Sequence, residues 1–243
     1  MKIKLAGIII EIENQYHEIV ERCKDYLADE NEIPDMTIRI TEDERAYVKQ
    51  FHLNEGETVS DGFAEFDFIR QKYGRKLHLF DAIMLHACLV EMDGMGHAFC
   101  ALSGGGKSTH AKMWVKAFGD KVKIIDGDNP IVRFENSRPM AYGTPCCGKE
   151  GWNINKKVPL KAVCFIVKSD HNKLTKLPPH IALMNIFGFG VPYRTSENEE
   201  KILELCEKLI EKVDFYKMEC TISPDAALTA YQGMNGGIKN EDQ

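Results

Sequence analysis

The chain has 243 residues, 44% of them hydrophobic, which is enough to bury one substantial core or two small ones. The formal net charge of -6 gives no overall positive field, so we expect no nucleic-acid partner. No stretch is long and apolar enough to span a bilayer, so we expect no membrane partner. The eight cysteines form no C-x-x-C pair, which argues against a zinc site and favours free thiols in a reducing, cytoplasmic environment.

Residues 1–75 predict a small N-terminal α+β segment. Its isoleucine-rich start indicates a strand rather than a signal peptide, because Glu11 and Glu13 follow the apolar residues at once. We find no catalytic motif in this segment. The spacing of apolar residues predicts a strand over 3–12, a helix over 16–28, a strand over 37–40 and a helix from Ser60 to Tyr73 that ends before Gly74.

Residues 76–243 predict a second unit, an α/β core. Residues 136–159 are predicted to be mostly loop. The predicted strands lie over 83–92, 97–102, 122–125, 131–135, 161–168 and 215–220. The predicted helices include one that follows a capping box of Ser196 and Glu199 and a short final one that begins at Ser223.

Within this core, Ala101–Thr109 has the form of a phosphate-binding loop if Ala101 replaces the usual first glycine. Consecutive glycines let the backbone turn its N–H groups toward a phosphate. A strand precedes the loop, and a helix ending at Gly119 follows it, with one apolar face made of Ala111, Trp114, Val115 and Phe118. The predicted phosphate-binding residues are Ser103, Gly104, Gly105, Gly106, Lys107, Ser108 and Thr109.

Two residues of the loop carry its chemistry. Lys107 is expected to contact the β- and γ-phosphates of a nucleotide, and the hydroxyl of Ser108 to bind Mg²⁺. The predicted cofactors are therefore Mg²⁺ and ATP or another nucleoside triphosphate. The alternative is a glycine-rich turn with an incidental lysine. A tight turn at Asp93–Gly96 makes the preceding strands a hairpin, whereas most phosphate loops follow a parallel crossover unit.

Asp126 and Asp128 follow the next apolar strand, where a carboxylate ligand for Mg²⁺ is expected. With glycine between them, both carboxylates can reach one metal and one substrate. One would hold Mg²⁺ and the other would accept the proton of an acceptor hydroxyl. An Asp-Gly turn that joins two strands without any function explains the same residues.

Three further residues are candidates for the site. His86 lies in an apolar strand, where a histidine is more often a core residue. Lys149 and Arg194 lie in loops rich in glycine and proline, where a cation either stabilises a transferring phosphoryl group or simply faces solvent. The loop over 143–151 has few apolar anchors, which predicts a mobile lid over the acceptor.

The stretch from Leu85–Val90 through a Gly-x-Gly turn into Ser103–Ser108 resembles the core of HPr kinase/phosphorylase. That family shares its nucleotide-binding fold with phosphoenolpyruvate carboxykinase. In both, a hairpin leads into the phosphate loop and an acidic pair follows the next strand, a place that Ile124–Asp128 occupies here. The resemblance covers about residues 80–235 and implies an α/β fold with a mixed β-sheet and a P-loop kinase core of this type.

The resemblance also implies roles for residues and marks two departures. Gly127 replaces the first acid of the adjacent pair, so we expect Asp126 to serve as the base from one residue earlier. The Glu-Ile-Arg-Gly tract of HPr kinases is absent after the acids, which argues against HPr as substrate and against phosphorylase activity. The residues carried over are His86 near the transferred phosphate, Lys107 and Ser108 as phosphate and Mg²⁺ ligands, and Asp128 as a metal ligand.

These patterns predict an ATP- and Mg²⁺-dependent kinase that phosphorylates a hydroxyl of a peptide, a protein or a small molecule. A carboxykinase-like metabolic enzyme is an alternative, but it would need a metal site with a lysine and a histidine and a longer chain. A third alternative is a nucleotide-binding accessory protein that presents a peptide to a partner enzyme. The acceptor, the choice between ATP and GTP and assembly into a homo-oligomer are left open by the sequence.

Overall fold

The computed structural model describes residues 1–102 and 104–236. Its N-terminal part holds a three-stranded sheet in the order β1-β2-β3, with β1 and β2 antiparallel and β2 and β3 parallel. The elements of this part are β1 (Lys2–Leu5), β2 (Ile8–Glu13), α1 (His17–Cys23), β3 (Met36–Arg39), α2 (Glu42–Asn54) and α3 (Asp61–Lys76).

The rest of the chain forms a nine-stranded mixed sheet with helices packed against it. A π-helical turn at Ile186–Gly190 continues α5. The elements are β4 (Ala82–Met84), β5 (Ala87–Met92), β6 (Met95–Cys100), α4 (Lys107–Phe118), β7 (Val122–Asp126), β8 (Ile131–Glu135), β9 (Arg138–Tyr142), β10 (Lys157–Lys168), β11 (Lys173–Lys176), α5 (Pro179–Asn185), α6 (Glu199–Lys212), β12 (Asp214–Cys220) and α7 (Pro224–Gly236).

The long strand β10 organises the larger sheet. Its first residues, Lys157–Pro159, pair antiparallel with β9, whereas its later residues pair parallel with β6 and with β12. The parallel pairing with β6 begins at Leu160, directly after the antiparallel stretch, and its register is irregular between Leu160 and Ala162. Strand β10 therefore joins an antiparallel part of the sheet, on the side of β9, to a parallel part, on the side of β6 and β12. The sheet curls where these two parts meet. The expected mixed α/β fold is thus observed.

Several predicted boundaries in the N-terminal part are wrong. The strand expected over 3–12 is a hairpin, because Ala6 and Gly7 adopt φ values of 50° and 76° in a two-residue turn. The helix that we expected to end before Gly74 continues to Lys76. Helix α2 was not predicted, although Thr41 caps it in a capping box.

The larger part also differs from its prediction in places. The region 136–159 contains β9 and the start of β10 rather than only loop. Helix α6 begins at Glu199, but its N-cap is Asn198 without a side-chain cap, so the predicted Ser196 capping box is wrong. The last strand and the final helix are confirmed, and that helix extends to Gly236.

The two parts share one hydrophobic cluster. Ile69 and Tyr73 at the end of the N-terminal part pack with Met84, Ile131 and Cys146 from the second part. This cluster therefore joins the two parts of the chain. None of the helices in the described ranges has both the length and the apolar character to cross a membrane.

Candidate functional site

Three chain segments converge at one edge of the larger sheet. Strand β5 lies between β6 and β7 and is antiparallel to both. Its first residue, Ala87, pairs with Cys100 at the end of β6, and nearby Leu89 pairs with Asp126 at the end of β7. The start of β5, the loop after β6 and the loop after β7 consequently meet at this edge.

A cluster of polar side chains occupies this meeting point. The Nζ atom of Lys107 contacts Nε2 of His86 and lies 3.4 Å from Oδ1 of Asp128. The same Asp128 oxygen lies 3.4 Å from Nε2 of His86. The other oxygen, Oδ2, lies 3.8 Å from Nη1 of Arg70 on α3. One carboxylate thus faces the phosphate loop on one side and the N-terminal part on the other.

A break in the predicted strand over 83–92 places His86 in this cluster. The strand divides into β4 and β5, and the N–H of His86 donates to the carbonyl of Gly190 at 2.8 Å instead of to a neighbouring strand. The N–H of Ala87 donates to the carbonyl of Asp128 at 2.9 Å. The His86 side chain is 31% exposed, so it is not a buried core histidine.

The backbone of the predicted phosphate loop requires its glycines. Gly104 and Gly106 adopt φ values of 70° and 105°, in the left-handed region that favours glycine. A Cβ on Gly105 would lie 2.7 Å from the carbonyl oxygen of Leu102. Helix α4 begins at Lys107 directly behind this turn, so the partial positive charge of its N-terminus faces the loop. Ser103 lies outside the described residues.

The pKa values of Asp128 and Lys107 reflect their mutual contact. Burial by itself would raise the pKa of Asp128, but the hydrogen bond from His86 and the charges of Lys107 and Arg70 lower it below its ordinary value. Burial lowers the pKa of Lys107, and Asp128 only partly opposes that effect. A carboxylate that stays ionised and a partly desolvated ammonium group are suited to bind phosphate and metal.

Asp126 is not brought into the cluster. Its side chain is fully buried, and it accepts four hydrogen bonds, from the N–H groups of Asp128, Asn129 and Thr144 and from the Thr144 hydroxyl. These bonds hold the turn after β7 against the loop that follows β9. The Asp126 carboxylate therefore faces the turn after β7 and Thr144 rather than His86 and Lys107.

The two predicted loop cations have different surroundings. Lys149 lines the cavity that also contains His86, Lys107 and Asp128. Its side chain is 89% exposed and forms an ion pair with Glu57 of the N-terminal part at 2.8 Å. Arg194 does not line this cavity or the neighbouring cavity formed with α2 and α3. Its guanidinium lies 4.4 Å from the centre of the Phe187 ring. The structure therefore does not bring Arg194 to the other candidates.

The predicted lid over 143–151 is only partly free to move. Thr144 bonds to Asp126, and Cys146 lies within the shared hydrophobic cluster, where its Sγ is 3.1 Å from the Tyr73 hydroxyl. The first half of the loop is therefore fixed to the protein core. Only residues 147–151 lie at the surface, where Gly148 and Gly151 adopt positive φ values.

Two neighbouring cavities meet at Asp128. The first has a volume of about 490 Å³ and is lined by the phosphate loop, His86 and Lys107. The second, of about 640 Å³, is lined mainly by side chains of α2 and α3. Both are also lined by Cys147, Gly148 and Lys149. The site thus has a phosphate-loop side and an N-terminal side, with one carboxylate between them.

Sequence reasoning missed residues on both sides. Arg70 contacts Asp67 and donates to the Asn129 side chain at 3.1 Å, and both Asp67 and Arg70 lie on a helix that is mostly buried. In the sequence, the indication was a pair of opposite charges, Asp67 and Arg70, three residues apart on a helix that is otherwise apolar. On the other side, Lys168 at the end of β10 and Ile222 after β12 line the first cavity. The sequence predicts the ends of both strands, so the positions of these two residues could have been recognised.

The residues present fit Mg²⁺. Within residues 1–102 and 104–236 there is no group of three or more His, Cys, Asp or Glu side chains suited to a metal. Mg²⁺, however, is usually bound by one or two protein oxygens, with phosphate and water completing its shell. Ser108 and Asp128 line the first cavity and supply a hydroxyl and a carboxylate, which are hard oxygen donors of that kind.

Comparison with known proteins finds no matching family model and no matching curated protein. Among solved structures, the chain is similar to the Hpr(Ser) kinase/phosphatase from Coxiella burnetii. The TM-score is 0.37 and the sequence identity 12%, over 65% of this chain and 99% of that one. This is a distant structural likeness, and it assigns no role to any residue of this chain.

Proposed function

We propose that the protein is a nucleoside-triphosphate-dependent phosphotransferase that phosphorylates a hydroxyl group. The observation that carries the proposal is the carboxylate of Asp128 between two cavities. Its Oδ1 is 3.4 Å from Lys107 at the phosphate loop, and its Oδ2 is 3.8 Å from Arg70 at the second cavity. A donor on one side and an acceptor on the other would meet at this residue.

The nucleotide belongs to the first cavity. Its phosphates lie against the glycine turn and the start of α4, with Lys107 as the cation for the β- and γ-phosphates. Leu102 and Ile222 flank that cavity with side chains 67% and 75% exposed, an apolar surface that suits the nucleoside. Mg²⁺, held by Ser108 and Asp128, would neutralise charge on the phosphates.

The transfer is a single displacement at the γ-phosphorus. The acceptor oxygen forms a bond to that phosphorus, and the bond from the phosphorus to the β–γ bridging oxygen breaks. The nucleoside diphosphate leaves with the bonding electron pair, and the acceptor proton passes to Oδ2 of Asp128. Because phosphoryl transfer needs positioning more than a strong base, a carboxylate with a low pKa is adequate.

The neighbouring side chains orient the reacting groups. His86 and Lys107 lie on the Oδ1 side of Asp128, where they would contact the γ-phosphoryl oxygens. Lys149 lies at the entrance between both cavities, and it would approach the phosphoryl group only if it leaves Glu57. Asp126 holds the backbone N–H groups of Asp128 and Asn129, so it fixes the direction of the reacting carboxylate.

The test compares Lys107→Ala and Asp128→Asn with wild type in calorimetry of Mg-ATP and in an assay of phosphoryl transfer to a mixture of hydroxyl compounds. Lys107→Ala should weaken ATP binding about tenfold or more, because the cation facing the phosphates is lost. Asp128→Asn should lower the transfer rate roughly 10²- to 10⁴-fold and should weaken Mg-ATP binding less than Lys107→Ala does, because Ser108 and the phosphates would still hold the metal. Lys112→Ala is the matched control, since Lys112 lies on the same helix with an exposed ion pair to Glu150.

Equal ATP affinity in Lys107→Ala and wild type would rule out the proposed nucleotide site. ATP binding that depends on Lys107 but is followed by no transfer to any hydroxyl would instead favour an accessory nucleotide-binding protein. Both readings require that the variants melt at nearly the wild-type temperature.

A further inference from the structure

We propose that the second cavity binds the acceptor, and that this acceptor is a neutral small-molecule alcohol with an apolar body about as large as an aromatic ring. The proposal rests on the phosphotransferase function, because the cavity adjoins the predicted nucleotide cavity along a shared wall that includes Asp128. It adds the part of the chain that recognises the acceptor, namely the N-terminal helices α2 and α3, and the chemistry they recognise.

The cavity has the size and lining of a small-molecule site. Its volume of about 640 Å³ lies within the usual range of roughly 300–1,000 Å³ for such sites. Most of its wall comes from the N-terminal part and is aromatic or aliphatic. The apolar side chains that define it are Tyr47, Phe51, Val59, Phe63, Phe66 and Tyr193.

Two of these side chains leave apolar surface exposed at the entrance. Tyr47 and Phe51 lie one helical turn apart on α2, and they are 63% and 53% exposed. Large apolar side chains grouped at a cavity mouth mark a binding surface more often than scattered ones do. A ligand with an apolar body would cover them as it enters.

The charged side chains of the cavity cancel in pairs. A ligand with a net charge would have to break one of these pairs, whereas a neutral body would leave all of them intact. The pairs are Arg22 with Glu18 at 2.8 Å, Lys149 with Glu57 at 2.8 Å, and Arg70 with Asp67. The charge pattern therefore favours a neutral acceptor.

The inner end of the cavity is where a hydroxyl can be oriented. Asp128 and Arg70 lie there, with Arg70 fixed by the Asn129 side chain at 3.1 Å and by the ring of Tyr193, whose centre is 5.6 Å away. Tyr193 adopts φ of 64°, a strained conformation for a bulky residue. The strained tyrosine holds Arg70 beside Asp128, so a hydroxyl would lie at this end and the apolar body would lie toward α2.

The experiment uses phenylbutanol as the probe and butanediol, which lacks the ring, as its matched partner. Binding to the full-length protein is followed by NMR in the presence of Mg-ADP, and phosphorylation is followed with Mg-ATP. Val59→Trp, at a half-buried residue of the loop before α3, fills the cavity, and Ile33→Trp, at a loop residue 87% exposed and outside the cavity lining, is the control. Calorimetry of Mg-ATP accompanies each variant.

Phenylbutanol should bind and be phosphorylated in preference to butanediol. Val59→Trp should weaken its binding about tenfold or more, with ATP affinity and the Ile33→Trp variant unchanged. The inference would be overturned if phenylbutanol bound Val59→Trp as well as wild type, or if the protein preferred butanediol or a hydrophilic seryl peptide. ATP binding that still depends on Lys107 would, in that case, continue to support the phosphotransferase. Loss of that ATP dependence would refute the proposed function itself and, with it, this inference.

Discussion

Asp126 and Asp128 are two residues apart and of the same type, yet their surroundings shift their pKa values in opposite directions. Burial raises the pKa of Asp126 to about 7, although hydrogen bonds from Asp128, Thr144 and Asn129 act to lower it. Asp128 lies beside His86 and Lys107, and its pKa falls below the ordinary value. Burial and nearby charge, rather than residue type, therefore separate the pKa values of the two acids.

The raised pKa of Asp126 predicts a pH dependence of stability. Folding raises this pKa from 3.8 to about 7, so the folded state favours the protonated acid. The stabilising contribution is fully present below pH 3.8 and is lost as the pH rises through about 7. Asp126→Asn stays neutral, so its deficit in unfolding free energy relative to wild type should shrink by about 2–3 kcal/mol between pH 5 and pH 8.

Urea unfolding of wild type and Asp126→Asn across this pH range measures the effect. A deficit that stays constant with pH would show that Asp126 ionises in the folded protein as it does in the unfolded chain. A deficit that grows with pH would mean that the four hydrogen bonds outweigh burial and that the sign of the shift is reversed.

At the scale of elements, Gly127 shows why this chain lacks the adjacent acids of the family it resembles. A Cβ at residue 127 would lie 2.7 Å from the carbonyl oxygen of Cys147. The backbone of the loop after β9 therefore packs directly on the turn after β7. An acid at this position would push the two loops apart.

Gly127→Ala should accordingly lower the free energy of unfolding by about 1–3 kcal/mol, as expected when a buried contact is overpacked. Because the displaced loop borders both cavities, ATP affinity should also fall. Gly188→Ala is the control, since no atom lies within 4 Å of its added Cβ. Differential scanning calorimetry of the two variants checks the expectation, and a Gly127→Ala protein as stable as wild type would show that the Cys147 carbonyl moves aside without cost.

The parts of the site that could be predicted from the sequence are those whose structure is determined by neighbouring residues. The glycine turn before α4 and the hairpin β5–β6 follow from local glycine and apolar patterns, and the structure has both. Other features depend on contacts between distant residues. The break at His86 is stabilised by Gly190, and the position of Arg70 by Asn129, so neither was visible in its own segment. Propensity and periodicity describe only neighbours along the chain.

At the scale of the whole molecule, the N-terminal part is joined to the larger sheet by packing as well as by the site. Tyr73 is buried in the shared cluster, and its hydroxyl lies 3.1 Å from Sγ of Cys146. The absence of a side chain at Gly74 leaves room for Tyr193, whose Cδ2 would lie 2.5 Å from an added Cβ. Asn198 donates to the carbonyl of Arg75 at 3.0 Å. These contacts predict that both parts unfold together.

Thermal unfolding tests this coupling, because both tryptophans, Trp114 and Trp152, belong to the second part. Tryptophan fluorescence reports that part alone, whereas far-UV circular dichroism reports the whole chain, and the two transitions should coincide. Tyr73→Ala should remove about 3–5 kcal/mol of unfolding free energy, as for other large aromatic truncations in a core. Although Tyr73 lies in the N-terminal part, both signals should shift to lower temperature by the same amount. A fluorescence transition that keeps its wild-type midpoint while circular dichroism shifts would instead establish two independently folding domains, with the second cavity at their boundary.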